Sequence, residues 1–546
     1  MFSLVIKNAK IIDGLGNPWR RADLGVQGDR IAFIGRIERP EAERIIDGQD
    51  RAVCPGFIDL HSHGEMILLS KRQMELMAGR IRQGITTEII GNCGIGAAPV
   101  TEEMKPALAA SLGFLSPEPR PWTWNSLGEF LDELEKTGLP INVGTLSAHG
   151  PIRTAVKGFA AGQSNPLEVK KEQDLLRATL EEGSFGFSCG LIYAPGMFSD
   201  TNELIELGKV VAEYDGLFTS HVRGSSETAI EAEEELISIG QHSGCRVHHS
   251  HYEAFGQAHW PKIETILGLD EAARRRGVDI ALDMFPYTAA NTMMIAIYPP
   301  WSLEGGWAEF LKRVKDPQTR QKIAADIESL VPIWPTWLPG RWPHNLVKAT
   351  GWENILIGYV PSQKNKKYQG LSLAELGKAR GQSPFEAITD LMIEEDGHIS
   401  QLIFGVSGDR ATEEPMLAIL THPLAGYATD SWDLGTGQPH PADYGTFPRI
   451  LGRYVREQKR LTLEDAIRRM TSFPASRLGL KDRGIIAKGY FADLVVFDPE
   501  TIADRATYEA PRQFPTGLDY VIVNGQVLVE GDEIKPIKPG RVLRKA

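Results

Sequence analysis

Cysteine is scarce in this chain: four residues in 546, Cys54, Cys93, Cys189 and Cys245. So few in so long a chain exclude a disulfide framework, and each reads first as a small buried hydrophobe or a ligand. No apolar run approaches the roughly 20 residues of a membrane-spanning helix. The opening stretch, MFSLVIKNAKIIDG, alternates like a strand and lacks the charged, apolar and small-residue regions of a secretory leader. A cytoplasmic protein with no membrane partner is the expectation. Positive charge is also in deficit, with 59 Lys and Arg against 71 Asp and Glu for a net charge of −12, and no basic cluster overrides it. That balance argues against nucleic-acid binding, which shows as a basic face. Low complexity is absent as well, because the 55 glycines and 34 prolines are spread along the chain and mark turns rather than disorder.

What is present is an ordinary globular composition, 42% hydrophobic and 24% charged. The length allows roughly two to four domains. Residues 1–56 read as short strands with Gly-Asp turns, and the far end repeats the style in GIIAKGYFADLVVFDP and LDYVIVNGQVLVEGD, where Asn-Gly between alternating apolar residues signals a hairpin. Both ends are therefore expected to meet in one small β-sandwich, residues 1–56 joined by 475–546. The middle, 57–474, alternates apolar strands with helical stretches, the pattern of a parallel sheet. Strands are predicted at GFIDLHSH, TTEIIGNCG, INVGTLSAHG, FGFSCGL, LFTSHVR, CRVHHSHYE, DIALDMFPY and AGYATD, with helices such as LGEFLDELEK between several of them. Eight strands is the count of a (β/α)8 TIM-like barrel. A Trp-rich stretch at about 298–351, holding Trp301, Trp307, Trp334, Trp337 and Trp342, breaks the rhythm and reads as an inserted subdomain over the barrel mouth.

The chemistry is organised around VCPGFIDLHSHGE. An apolar run feeds into His61 and His63, and strand positions i and i+2 share a face, so the pair could grip one metal ion. Alone, His-x-His is as often a pair of satisfied polar residues. Other strands, however, also end in ligand types, as a barrel with its site at the strand C-termini requires. Cys93 follows TTEII in a Gly-rich turn. His221 ends LFTSH. In CRVHHSHYE, His249 and His251 share one face, and the pattern does not choose between them. Asp430 ends AGYATD, where an acid suits a proton shuttle and a helix N-cap is the bland alternative.

Those pieces, with SFGFSCGLIYAPG, DMFPYTA, YPPWSLEGG, YGTFPRILGRY, LEDAIRRMTSFPASRLGL and RGIIAKGYFADLVVFDP, run in an order that resembles the amidohydrolase superfamily and within it the D-aminoacylase (N-acyl-D-amino-acid deacylase) family. The resemblance implies a barrel with a composite β-sandwich and a small insertion. It also implies one or two zinc ions held by His61, His63, Cys93, His221 and His251, with the Ser-His pairing choosing His251 over His249. Cys93 takes the bridging place and Asp430 the catalytic one. Thiolate and imidazole donors favour zinc, so metal-assisted hydrolysis of a small-molecule amide is the implied reaction. The family holds its substrate's carboxylate with a Lys, a Tyr and an Arg, where this sequence has Glu253, Phe285 and Ala442. A linear amidase with altered specificity is therefore expected.

Arg223 or Arg449 is a replacement source of positive charge, and an Arg223–Glu253 pair is the structural alternative. Tyr193 and His149 are further expected pocket residues, and His440 is expected to shape the site. Related readings are a genuine N-acyl-D-amino-acid deacylase and a cyclic amide, imide or lactone hydrolase. A binding protein on a degenerate scaffold is the non-enzymatic reading, and metal content with turnover separates it from the others.

Overall fold

The computed structural model describes residues 1–334 and 342–545. Eight parallel strands form its centre: Phe57–Asp59, Ile85–Ile90, Asn142–Thr145 continued by Ser147–Ala148, Gly186–Gly190, Leu217–His221, Arg246–His249, Ile280–Met284 and Ala425–Tyr427. The third strand is interrupted only at Leu146, whose N–H still bonds the Ile90 carbonyl at 2.9 Å. The ring closes where the eighth strand meets the first. Asp430 N–H donates to the His61 carbonyl at 2.9 Å, and Thr429 N–H to Asp59 Oδ1 at 3.0 Å. All eight predicted strands are present, because strands covered on both faces read as nearly continuous apolar runs.

Helices cover the outside of this ring. Leu127–Thr137 begins with a capping box, Ser126 and Glu129 exchanging side-chain and backbone bonds, and turns Leu127, Phe130, Leu131 and Leu134 inward. Pro166–Glu181 starts the same way on Asn165 and Glu168. Between the strands and the next helices, Phe187, Phe218, Val247 and Ile280 pack against Leu204, Val210 and Leu236. Among the described residues no helix is long and apolar enough to cross a membrane.

Both termini enter one nine-stranded sheet, in which Ala52–Pro55 pairs with Leu494–Phe497. Alternation assigns its two faces. Leu494 and Val496 join a core with Leu4 and Ile6 of the strand Phe2–Ile11, while Val495 and Phe497 pack toward the barrel.

The insertion is wider than the Trp-rich stretch. Ala289–Met293 and Ile355–Tyr359 flank Ser400–Phe404 in an antiparallel sheet, and the apolar core around it draws residues from Phe285 to Val406. The sequence marked 298–351 because the aromatics cluster there; the flanking strands pair across about a hundred residues, which no local pattern reveals. Trp301 and Trp307 donate to Asp326 and Asp396 at 2.8 and 2.7 Å, and Trp342 is buried in this core. Trp337 lies outside the described residues.

Candidate active site

Every expected metal-ligating residue lies at the C-terminal mouth of the barrel. His61 and His63 sit just past Asp59, the last residue of the first strand, so a bend rather than a strand face brings them together. Cys93 follows the second strand, His221 closes the fifth, and His251 and Asp430 lie beyond the sixth and eighth. Cys93, His251 and Asp430 all adopt positive φ, at 54°, 38° and 45°. Non-glycine residues seldom stand there, and such strain collects at functional sites.

The distances define two groups that share one sulfur. Cys93 Sγ is 3.2 Å from His61 Nε2 and 3.5 Å from His251 Nε2. Asp430 Oδ1 is 3.1 Å from His61 Nε2 and 3.4 Å from His63 Nε2. Donor atoms of His61, His63, Cys93 and Asp430 lie within 4.8 Å of one another, as do those of Cys93, His221 and His251. Lone pairs of one sulfur, four imidazoles and a carboxylate therefore converge on shared space. That is the donor set of a divalent transition-metal ion, and the residues fit one.

Local charge matches this arrangement. Burial opposes ionisation of Cys93, but the His61 and His251 rings outweigh it and hold the thiol well below its usual value. The same competition holds Asp430 well below the ordinary carboxylate range. Burial and the neighbouring His251 ring bring His221 down to about 4.

His249 and His251 part company where the strand ends. His248 points inward to Asp283 Oδ2 at 2.9 Å, and His249 points outward to Glu233 on the helix Ala229–Ser243. Alternation stops at His249, and the turn at His251 brings that ring back to the mouth. Asp283, which the sequence reading missed, accepts the His251 N–H at 2.6 Å and lies 3.5 Å from His61 Nδ1. Its signal was present: an acid at an inward position of a barrel strand.

Behind the histidines, Arg80 is fully buried. It contacts Glu88 at 2.8 Å, Asp443 at 3.1 Å and the Ser431 carbonyl at 2.6 Å, next to Asp430. Glu88 in turn accepts from Ser62 at 3.1 Å, between the two histidines. Gly190 lets the fourth strand abut the Cys93 turn, since a Cβ there would lie 1.9 Å from the Cys93 carbonyl oxygen.

A cleft opens over the cluster, lined by His63, Cys93, His221, His251 and Asp430 together with Tyr193, Glu253, Thr292, His344 and several apolar residues. Tyr193 bonds Thr292 at 2.7 Å. Glu253 is buried, with Oε1 3.3 Å from His251 Nδ1, and burial raises its carboxyl pKa against the opposing pull of His251. His344 is also part of the cleft wall.

Four expected substrate contacts lie off the cleft lining. His149 turns to Glu203 at 3.1 Å, in a buried group that already contains the Arg153 cation. Arg223 makes a two-pronged pair with Glu235 at 2.9 and 3.0 Å, not with Glu253. Phe285 packs on the His440 ring, centroids 5.5 Å apart, and Ala442 is buried at the start of its helix. Arg449 is likewise engaged, by Asp504 and Glu413 at 3.1 and 3.2 Å. His440 bonds the Ala289 carbonyl and the Ala442 N–H, so it shapes the wall from behind.

Comparison with known proteins finds relatives that match the chain over its whole length. A family model described as "Amidohydrolase family" matches residues 369–529. The N-acyl-D-glutamate deacylase of Alcaligenes xylosoxydans xylosoxydans is 33% identical, over 99% of this chain and 96% of its own length. A crystal structure of N-acyl-D-glutamate deacylase from Bordetella bronchiseptica, complexed with zinc and a phosphonate mimic of the tetrahedral intermediate, aligns with a TM-score of 0.81 at 31% identity, covering 100% of this chain and 99% of the other. A D-aminoacylase structure addressing a binuclear metal centre, activated by one metal and attenuated by a second, aligns at 0.81 with 29% identity and full coverage of both chains.

Proposed function

Because the chain belongs to the D-aminoacylase family of amidohydrolases, we propose that it is a zinc-dependent hydrolase of linear N-acyl amides, with His61, His63, Cys93, His221 and His251 as ligands of one or two ions. The observation that carries this reading is the pair of donor groups sharing Cys93, with Asp430 against His61 and His63. Thiolate and imidazole donors favour zinc, and the zinc held by the Bordetella relative supports the same choice.

A zinc ion held there would acidify a water molecule and polarise the amide carbonyl. Asp430, whose Oδ1 lies 3.1 Å from His61 Nε2 and 3.4 Å from His63 Nε2, is placed to take a proton from the attacking water as the water oxygen bonds to the carbonyl carbon. When the C–N bond breaks, Asp430 passes the proton to the departing nitrogen, leaving a carboxylic acid and an amine. Asp283 holds the His251 backbone, and the buried Arg80 holds the segment beside Asp430. Both act from behind the cleft wall.

The amine portion of the substrate lacks the α-carboxylate of an N-acyl-D-amino acid. Among the described residues no Lys or Arg lines the cleft, and Glu253 stands there instead. Asp430→Asn tests the central assignment. It should keep its bound zinc and its fold while kcat falls by about a hundredfold to ten-thousandfold; near-normal kcat in a metal-replete variant would overturn the role.

A further inference from the structure

Glu253 is held at the cleft with half of its hydrogen-bonding capacity unused. Its residue exposure is 4%, Oε1 faces His251 Nδ1 at 3.3 Å, and Oε2 is buried with no donor in reach among the described residues. The two arginines that could have neutralised it are bound to Glu235, Asp504 and Glu413. A buried carboxylate oxygen left without a donor is costly, and a ligand that brings a charged donor removes the cost. Phe114, Phe255 and Trp432 line the same cleft, and aromatic faces tolerate a cation.

A second, partly open cavity meets the first at Cys93, Ile95, Phe114 and Tyr193. Its remaining walls include Leu108, Leu112, Phe159 and Met293, and none of its described lining residues is charged at neutral pH apart from Cys93. The donor cluster thus borders both a cleft that holds an additional carboxylate, beside His251, and a cavity with an apolar lining. An amide placed with its carbonyl at the cluster would send its two substituents into chemically opposite surroundings.

Resting on the amide-hydrolase reading above, we propose that Glu253 is a specificity-determining residue that receives a protonated amine on the leaving-amine side of the substrate, while the apolar cavity receives the acyl chain. The substrate class is N-acylated diamines. Hydrolysis then gives a fatty or other apolar carboxylic acid and a diamine, with the atom and proton balance already described.

The test uses zinc-loaded full-length protein and three substrates sharing one acyl chain: N-acyl-1,4-diaminobutane, N-acyl-butylamine and an N-acyl-D-amino acid. Wild type should favour the diamine over the neutral amide by roughly ten- to a hundredfold in kcat/KM, the range of one charge-assisted hydrogen bond. In Glu253→Gln that ratio should collapse toward one, and Glu253→Lys should shift preference toward the acid.

If Glu253→Gln lowers all three substrates by one common factor and leaves the ratio intact, Glu253 acts only by positioning His251 and the proposal is overturned. Wild type preferring the acid also overturns it while leaving the hydrolase reading intact, whereas turnover of none of the three removes the hydrolase reading itself. Should the variants lose zinc or fail to fold, product inhibition of wild type decides. 1,4-Diaminobutane should inhibit at least about tenfold more strongly than butylamine or 4-aminobutanoate, and equal inhibition overturns the proposal.

Discussion

Replacing Arg80 by Met removes a cation from a site with two buried carboxylates and no water-exposed side. Arg80, Glu88 and Asp443 are all fully buried, at 0% exposure. The arginine bonds both acids and the Ser431 carbonyl, at 2.8, 3.1 and 2.6 Å. Breaking a buried pair by removing one partner costs about 3–5 kcal/mol, because the other charge is left uncompensated. Even beside Arg80, burial raises the Glu88 carboxyl and pushes Asp443 up to about 6. Without the guanidinium both would rise further, and the folded state would bind protons that the unfolded state does not.

A carboxyl whose folded pKa is raised contributes stability below its unfolded pKa that is lost as pH climbs through the folded value. The Arg80→Met deficit should therefore be smaller at pH 5 than at pH 8, rising by at most about 1.4 kcal/mol per pH unit for each carboxyl over the range where it is ionised in the wild type and protonated in the variant. Denaturant unfolding followed by tryptophan fluorescence measures it, since Trp432 adjoins Ser431 and packs on His63. A deficit below about 1 kcal/mol, or one that does not change with pH, would refute the reasoning.

Two further outcomes separate liganding from packing at the mouth. His251→Gln should lower zinc content measured by plasma emission spectroscopy, whereas His249→Gln should retain zinc and lose only the buried contact to Glu233; equal zinc content in both would contradict the assignment. Gly190→Ala should displace the Cys93 turn, because the added methyl meets the Cys93 carbonyl at 1.9 Å. The expected readout is weaker zinc retention on dialysis, and wild-type retention would show that the turn tolerates the shift.

The barrel was legible because its strands are buried on both faces and end in glycines and ligand types, so apolar runs such as TTEII and DIALDM stand out from the helices around them. The donor residues were legible for the same reason, each lying at or just past a strand end. The register at the sixth strand was not. Period-two alternation holds only while the strand lasts, and the strand stops at His249, two residues before the ring that faces Cys93.

Of the expected wall residues, Phe285 and Ala442 were placed by motif position, His149 by its place at a strand end and Arg223 as a source of positive charge. Their final surroundings depend on packing partners distant in sequence: His440 for Phe285, Glu235 for Arg223 and Glu203 for His149. Glu253 and Tyr193 did reach the cleft. The insertion's extent was hidden for a similar reason, since Ala289–Met293 and Ser400–Phe404 recognise each other only after the intervening chain has folded.

The most direct measurement is amine release from linear N-acyl amides by one preparation in three states: zinc-loaded, stripped with a chelator and reloaded with zinc. Release that disappears on stripping and returns on reloading is the predicted result. Undiminished release from verified metal-free protein, or no release from any amide by protein with its zinc bound, would contradict the account.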